Sequence, residues 1–163
     1  MEIREVNKDD DINEICNVYL QSWKVAYKGI IPQHYLDHIC KEQWYRSLQN
    51  DSRKSIVMLE NNKIIGTSSY SFSRDEDRKE YGEIISIYIL PEYCHKGYGK
   101  YLLNASINGL RNMGFSHVFL WVLEGNDIAR AFYQKNGFTY DNTIKQCLFA
   151  DTILNELRYV KHM

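Results

Sequence analysis

Apolar positions along this chain recur with two periods. Residues 2–6 (EIREV) alternate as a short strand does. Over residues 9–24 the apolar side chains fall at Ile12, Ile15, Cys16, Val18, Tyr19 and Trp23, a helical spacing that Asp9, Asp10 or Asp11 can cap. Residues 28–32 (KGIIP) break that pattern. Residues 33–49 return to it, readable as two short pieces with Tyr35, Leu36, Ile39, Trp44 and Leu48 inward. Residues 55–59 and 64–73 read as a strand pair around a turn at 60–63 (ENNK). The charged run at 73–79 (SRDEDRK) reads as a solvated loop. Residues 82–90 (GEIISIYIL) are apolar on both faces, as a central strand is. A helix is expected over 99–113, stopped by Gly114. A buried strand follows at 116–123 (SHVFLWVL), then a helix over 127–136, capped by Asn126 and ended by Gly137. Two last strands fall near 139–147 and 152–161. This order predicts an α/β fold with a mixed sheet.

The 163 residues fit one domain spanning 1–163, long enough to bury a sizeable core. Charged residues at 25% and apolar ones at 44% give the balance of a soluble globule. A net charge of -1 provides no global field to recruit nucleic acid, so an anion site has to be local. The 13 tyrosines point to an aromatic pocket as well as a core. Cys16, Cys40, Cys94 and Cys147 lie far apart and form no C-x-x-C pair. The sequence therefore suggests no metal site and four free thiols in a reducing cytoplasm. It shows no signal peptide and no apolar run long enough for a membrane span.

The chemistry concentrates at residues 94–103 (CHKGYGKYLL), where an apolar strand pattern meets an amphipathic helix. A helix start leaves four backbone amides without internal partners and carries partial positive charge. Glycines let a ligand approach the backbone. Gly97 and Gly99, with His95, Lys96 and Lys100 around them, therefore suggest a phosphate site. It is not a Walker loop, because Cys94 stands at the first glycine and Tyr101 at the magnesium-binding hydroxyl. Leu102 at the third glycine position excludes the dinucleotide fingerprint.

The stretch from Tyr88 to Leu103 (YILPEYCHKGYGKYLL) resembles the acyl-CoA signature of the GNAT superfamily of N-acetyltransferases. That signature is an apolar strand, Pro and an acidic residue, then [QR]-x-x-G-x-[GA] opening a helix. Downstream, Asn126, Ala129, Phe132, Tyr133, Gly137 and Phe138 resemble the family's N-x-x-A-x-x-F-Y-x-x-x-G-F. Cys94 departs from the usual Gln or Arg. The resemblance covers residues 55–160 well and the N-terminal third loosely. It implies a splayed mixed sheet of about seven strands flanked by about four helices. It also implies acetyl-CoA as co-substrate and an amine acceptor, either a small molecule or a peptide N-terminus. Dimers are common in the family, so a homodimer is compatible with it. The alternative on the same fold is a non-catalytic acyl-CoA-binding sensor or partner-binding module.

By the same resemblance, the backbone of Ile87, Tyr88 and Ile89 pairs with the pantetheine arm, and the amides of His95, Lys96, Gly97, Tyr98, Gly99 and Lys100 grip the diphosphate. Tyr133 corresponds to the tyrosine proposed to protonate the departing sulfur, and Asn126 both caps its helix and contacts the coenzyme. A backbone N–H near Ile89 is the expected oxyanion donor. Glu83 is the candidate base; strand parity places it beside Ile85, Ile87 and Ile89 unless a bulge intervenes. Trp23, Tyr27, Tyr35, Tyr70 and Phe72 are candidate walls of the acceptor pocket.

Overall fold

The structure is a computed structural model that describes residues 1–49 and 52–163. The strands are β1 (Glu2–Glu5), β2 (Lys54–Glu60), β3 (Lys63–Phe72), β4 (Gly82–Ile89), β5 (His117–Leu123), β6 (Thr139–Phe149) and β7 (Thr152–His162). They form a 7-stranded sheet in the order β1-β2-β3-β4-β5-β7-β6, antiparallel except between β4 and β5. The helices are α1 (Ile12–Ala26), α2 (Gln33–His38), α3 (Glu42–Leu48), α4 (Tyr98–Asn112) and α5 (Asp127–Lys135). Among the described residues this makes five, in keeping with about four once the 33–49 stretch is read as two short pieces. The 33–49 stretch divides because Ile39 is extended, at φ -64° and ψ 141°.

Local signals set most boundaries. Asp11 caps α1, its carboxylate accepting from the Asn13 amide at 2.8 Å. Asn126 caps α5 by accepting from the Ala129 amide at 3.1 Å. Asn61 and Asn62, both at positive φ, make the two-residue turn between β2 and β3.

Side chains alternate across the strands and feed two layers of core. On one face Ile56, Met58, Ile65, Ile84, Leu120 and Leu157 pack with Leu102, Leu103, Ile107 and Leu110 of α4. Ala129, Phe132 and Tyr133 of α5 join the same layer. On the other face Val57, Ile64 and Leu90 meet Ile15, Val18 and Tyr19 of α1. Leu123 meets Ile31, Leu36 and Ile39 there.

Two irregularities in β4 break the regular sheet. Ser69 lies opposite Ser86, but Tyr70 lies opposite Ile84, so β4 carries an extra residue at Ile85. On its other edge, β4 pairs with β5, among the described residues, only at Gly82↔Val118 and Glu83↔Phe119. Beyond Glu83 the two strands diverge, and the sheet splits at its centre.

Candidate active site

The split exposes one edge of β4. The Leu90 amide donates to the Ile65 carbonyl at 2.9 Å, so that residue faces β3. Antiparallel alternation then turns the backbone of Tyr88 toward β3 and that of Ile87 and Ile89 toward the split. Of the three residues expected to offer backbone to a pantetheine arm, the odd pair is oriented for it and Tyr88 is not. The Ile89 carbonyl already accepts from the Ser22 hydroxyl of α1 at 2.9 Å.

The turn into α4 lies at the end of the same strand. His95 has φ 60° and Gly97 has φ 85°. These left-handed residues coil the chain so that several amides point the same way. Among the described residues, the amides of His95, Lys96 and Gly97 have no protein partner, and Lys100 is the first to bond back, to the Gly97 carbonyl at 3.2 Å. A side chain at 97 would find no atom within 4 Å, so Gly97 is demanded by its φ and not by crowding. At Gly99 a Cβ would lie 3.3 Å from the Phe132 ring, which fixes how closely α5 approaches the start of α4. His95, Lys96 and Lys100 are exposed around this turn. The Cys94 thiol folds back toward the carbonyls of Ile89 and Leu90, 3.7 Å from each, and away from the bare amides. The Tyr98 hydroxyl donates to Glu60. Free amides for a diphosphate and an open strand edge for an amide-bearing arm fit a coenzyme A thioester.

The α1 face of the split holds the aromatic wall. The Trp23 ring lies 4.8 Å from Tyr27, and Tyr35 lies 5.7 Å from Phe149, which also touches Trp23. Among the described residues, the buried Trp23 indole N–H has no hydrogen-bond partner. The hydroxyls of Tyr27 and Tyr88 are 3.0 Å apart. Tyr133 reaches toward this pair from α5, and no protein group bonds its hydroxyl among the described residues. Burial, and then the neighbouring Tyr27, push the Tyr133 hydroxyl well above its ordinary range, so it holds its proton. Tyr70 does not belong to this wall. It points to the opposite face, where its ring lies so close to Gly109 of α4 that any side chain there would collide with it. Phe72 shares that face, with its ring 5.3 Å from Phe115.

Glu83 marks the vertex of the split. The extra residue at Ile85 reverses its parity, so it lies on the α1 face with Ser86 and Tyr88 and away from Ile87 and Ile89. It is 1% exposed and is gripped by Arg74. The backbone N, Nε and Nη2 of Arg74 donate to its two oxygens at 3.1, 3.0 and 2.5 Å. Arg74 belongs to the charged run expected to be a solvated loop. That run is instead fastened down: Asp75 and Asp77 both accept from Arg158, which is 2% exposed on β7. Arg74 and Arg158 carry no signal in the sequence, because their partners are defined by strand register.

The pairing with Arg158 holds the Asp77 carboxyl below its usual range. Burial pushes Asp141 up, but bonds from Thr143 and Arg158 outweigh it and keep that carboxyl low as well. Depressed carboxyls stabilise the fold above the unfolded value of about 3.9 and lose that contribution as pH falls through the folded value. The melting temperature is therefore expected to fall steeply below about pH 4, with a smaller fall in Asp77→Asn. Circular-dichroism melts across that range check this, and identical profiles for the two chains would contradict it.

A sheet split beside a strand edge, with bare amides opening the adjoining helix, defines an acyl-CoA-binding fold. Residues 13–138 match the Acetyltransferase (GNAT) family, and the chain belongs to that family of acetyl-CoA-dependent N-acetyltransferases. It is 33% identical over 134 residues to an uncharacterized N-acetyltransferase of Bacillus subtilis, covering 81% of this chain and 76% of that one. It is 27% identical over 147 residues to a spermidine N(1)-acetyltransferase of Thermoplasma acidophilum, covering 88% and 91%. Among solved structures, the PaiA N-acetyltransferase of Thermoplasma acidophilum in complex with coenzyme A has the same fold, with a TM-score of 0.79 at 24% identity over 99% of this chain and 98% of that one. No helix among the described residues is long and apolar enough to cross a membrane, and no group of side chains there could hold a metal ion.

Proposed function

We propose that the protein acetylates a small primary amine by direct attack, with no acetylated protein residue on the way. The observation that carries this reading is the split between β4 and β5, which opens beside the amides of residues 95–99. Acetyl-CoA supplies an activated acetyl thioester when bound. The amides of His95 through Gly99 hold its diphosphate, with His95, Lys96 and Lys100 adding charge. The outward backbone of Ile87 and Ile89 aligns its arm, and the Ile89 amide stabilises charge on the acetyl oxygen. The Tyr133 hydroxyl gives its proton to the departing sulfur. Asn126 fixes the start of the helix that carries Tyr133.

The amine approaches from the α1 face, with its apolar part against Trp23, Tyr27 and Tyr35. The spermidine enzyme of Thermoplasma acidophilum supports a small amine acceptor. Arg74 takes three of the four acceptor positions on Glu83. This favours Glu83 as an anchor for Arg74 over the role of base, and the amine then gives up its proton to water in the cleft.

Titration calorimetry with acetyl-CoA, alongside thiol release in the presence of spermidine, tyramine and alaninamide, tests the reading. Gly97→Ala is expected to weaken acetyl-CoA binding about tenfold, since a side chain in the left-handed region costs about 1–2 kcal/mol. Tight coenzyme binding without thiol release on any amine would instead support the non-catalytic module.

A further inference from the structure

We infer that Arg158 is a positioning residue for the acceptor: it holds the loop of residues 73–81, and through it Arg74 and Glu83, at the vertex of the split. The inference rests on the acetyl-transfer reading above.

Arg158 is a buried cation with a full set of partners. Its Nε donates to Asp141 at 2.8 Å, and its Nη1 donates to Asp75 at 3.3 Å and to Asp77 at 2.9 Å. Its Nη2 donates to Asp77 at 2.8 Å and to Thr143 at 3.0 Å. The rings of Trp121 and Phe119 lie 5.5 and 5.9 Å from the guanidinium carbon. A planar fork with five donors suits such an arrangement, and a lysine could not reproduce it.

The origin of the partners shows what the cluster does. Asp141 and Thr143 come from a bulge in β6, where two extra residues interrupt the pairing with β7 and Asn142 has φ 64°. Asp75 and Asp77 come from the loop between β3 and β4, on the other side of the split. Arg158 therefore ties together strands that the divergence of β4 and β5 leaves without backbone rungs. Glu76, Asp77, Lys79 and Glu80 of the loop are exposed and its one helical turn buries no side chain, so the loop is held through a few polar ties: the Arg158 cluster, Arg74 to Glu83, and Arg78, whose Nη2 donates to Asp141 at 3.2 Å.

The chain of contacts then leads to the vertex. Asp75 accepts from Arg158 and also from the Trp121 indole N–H at 3.1 Å. The next residue back is Arg74, whose backbone and side chain both bond to Glu83. Glu83 occupies the last residue pair before β4 and β5 separate. The Arg74 side chain is 55% exposed at this point, while the Glu83 that it grips lies on the α1 face with Tyr88. A loop that shifts here moves Arg74 relative to the aromatic wall while leaving the diphosphate turn untouched. Misplacement of about 1 Å at a reacting site can cost about 100-fold in rate.

Asp77→Ala and Arg158→Lys test this. Asp77 is an exposed loop residue, so its loss spares the core even if the Arg158 variant fails to fold. Both variants are expected to raise amide hydrogen exchange over residues 73–81 about tenfold, with no change at 95–100. With spermidine, tyramine and alaninamide as probes, the KM for whichever amines the unaltered chain acetylates is expected to rise about fivefold or more, while that for acetyl-CoA stays within about twofold. Unchanged exchange in the loop, or equal rises in both KM values, would overturn the inference. Absence of thiol release by the unaltered chain with all three amines would overturn the acetyl-transfer reading, and this inference with it.

Discussion

Tyr133→Phe is expected to lower turnover about 100- to 1,000-fold while acetyl-CoA binds as before. The substitution removes one oxygen and keeps the ring that packs against Phe132 and Phe138, at 5.3 and 5.8 Å between ring centres. The fold should therefore not register the change, and the loss should fall on kcat. Burial keeps the phenol protonated through the neutral range, which is the state that the proposed donation to a developing thiolate requires. Steady-state kinetics with calorimetric binding check this. Turnover within about threefold of the unaltered chain would remove Tyr133 from the chemistry and leave it as a packing residue.

Arg74→Met is expected to destabilise the protein by about 3 kcal/mol, because it removes the guanidinium and leaves the buried Glu83 carboxylate only the backbone amide of residue 74. Glu83 at 1% exposed cannot turn to water for compensation. The double variant Arg74→Met with Glu83→Leu should recover most of that stability, since it removes the buried carboxylate together with the guanidinium that pairs with it. Urea denaturation at neutral pH distinguishes the two chains. If the single variant lost less than about 1 kcal/mol, the pair would behave as a surface contact and its anchoring role at the vertex would be wrong.

How far the sequence carries the structure depends on the range over which each feature is determined. Caps such as Asp11 and Asn126, the Asn61–Asn62 turn and the glycines at 97, 114 and 137 act within a few residues, and each is legible in the chain. The anion turn is legible for the same reason, because its physics belongs to one helix start. Glu83 shows where local reading stops. Its face depends on an extra residue at Ile85 that only the pairing with β3 reveals. Tyr70 is misassigned to the acceptor wall because aromatic character does not specify a face, and the close approach of Gly109 puts its ring under α4. Arg158 shows the limit most clearly. In the run NELRYV it is an ordinary strand charge two residues from Glu156, while two of its acid partners lie 81 and 83 residues away in the chain. Nothing in an alternation pattern links them, and the SRDEDRK segment has the composition of a solvent-facing turn.

Among the described residues, β4 pairs with β5 only at Gly82 and Glu83. Mechanically the protein is therefore two plates on a short hinge, with α5 and the Arg158 cluster bracing them from opposite sides. On the proposed reading, a guest along the free margin of Ile87 and Ile89 would act as a removable slat that braces the two plates when it is in place. Heat tolerance should then track coenzyme supply, increasing with the logarithm of its concentration once the site is filled.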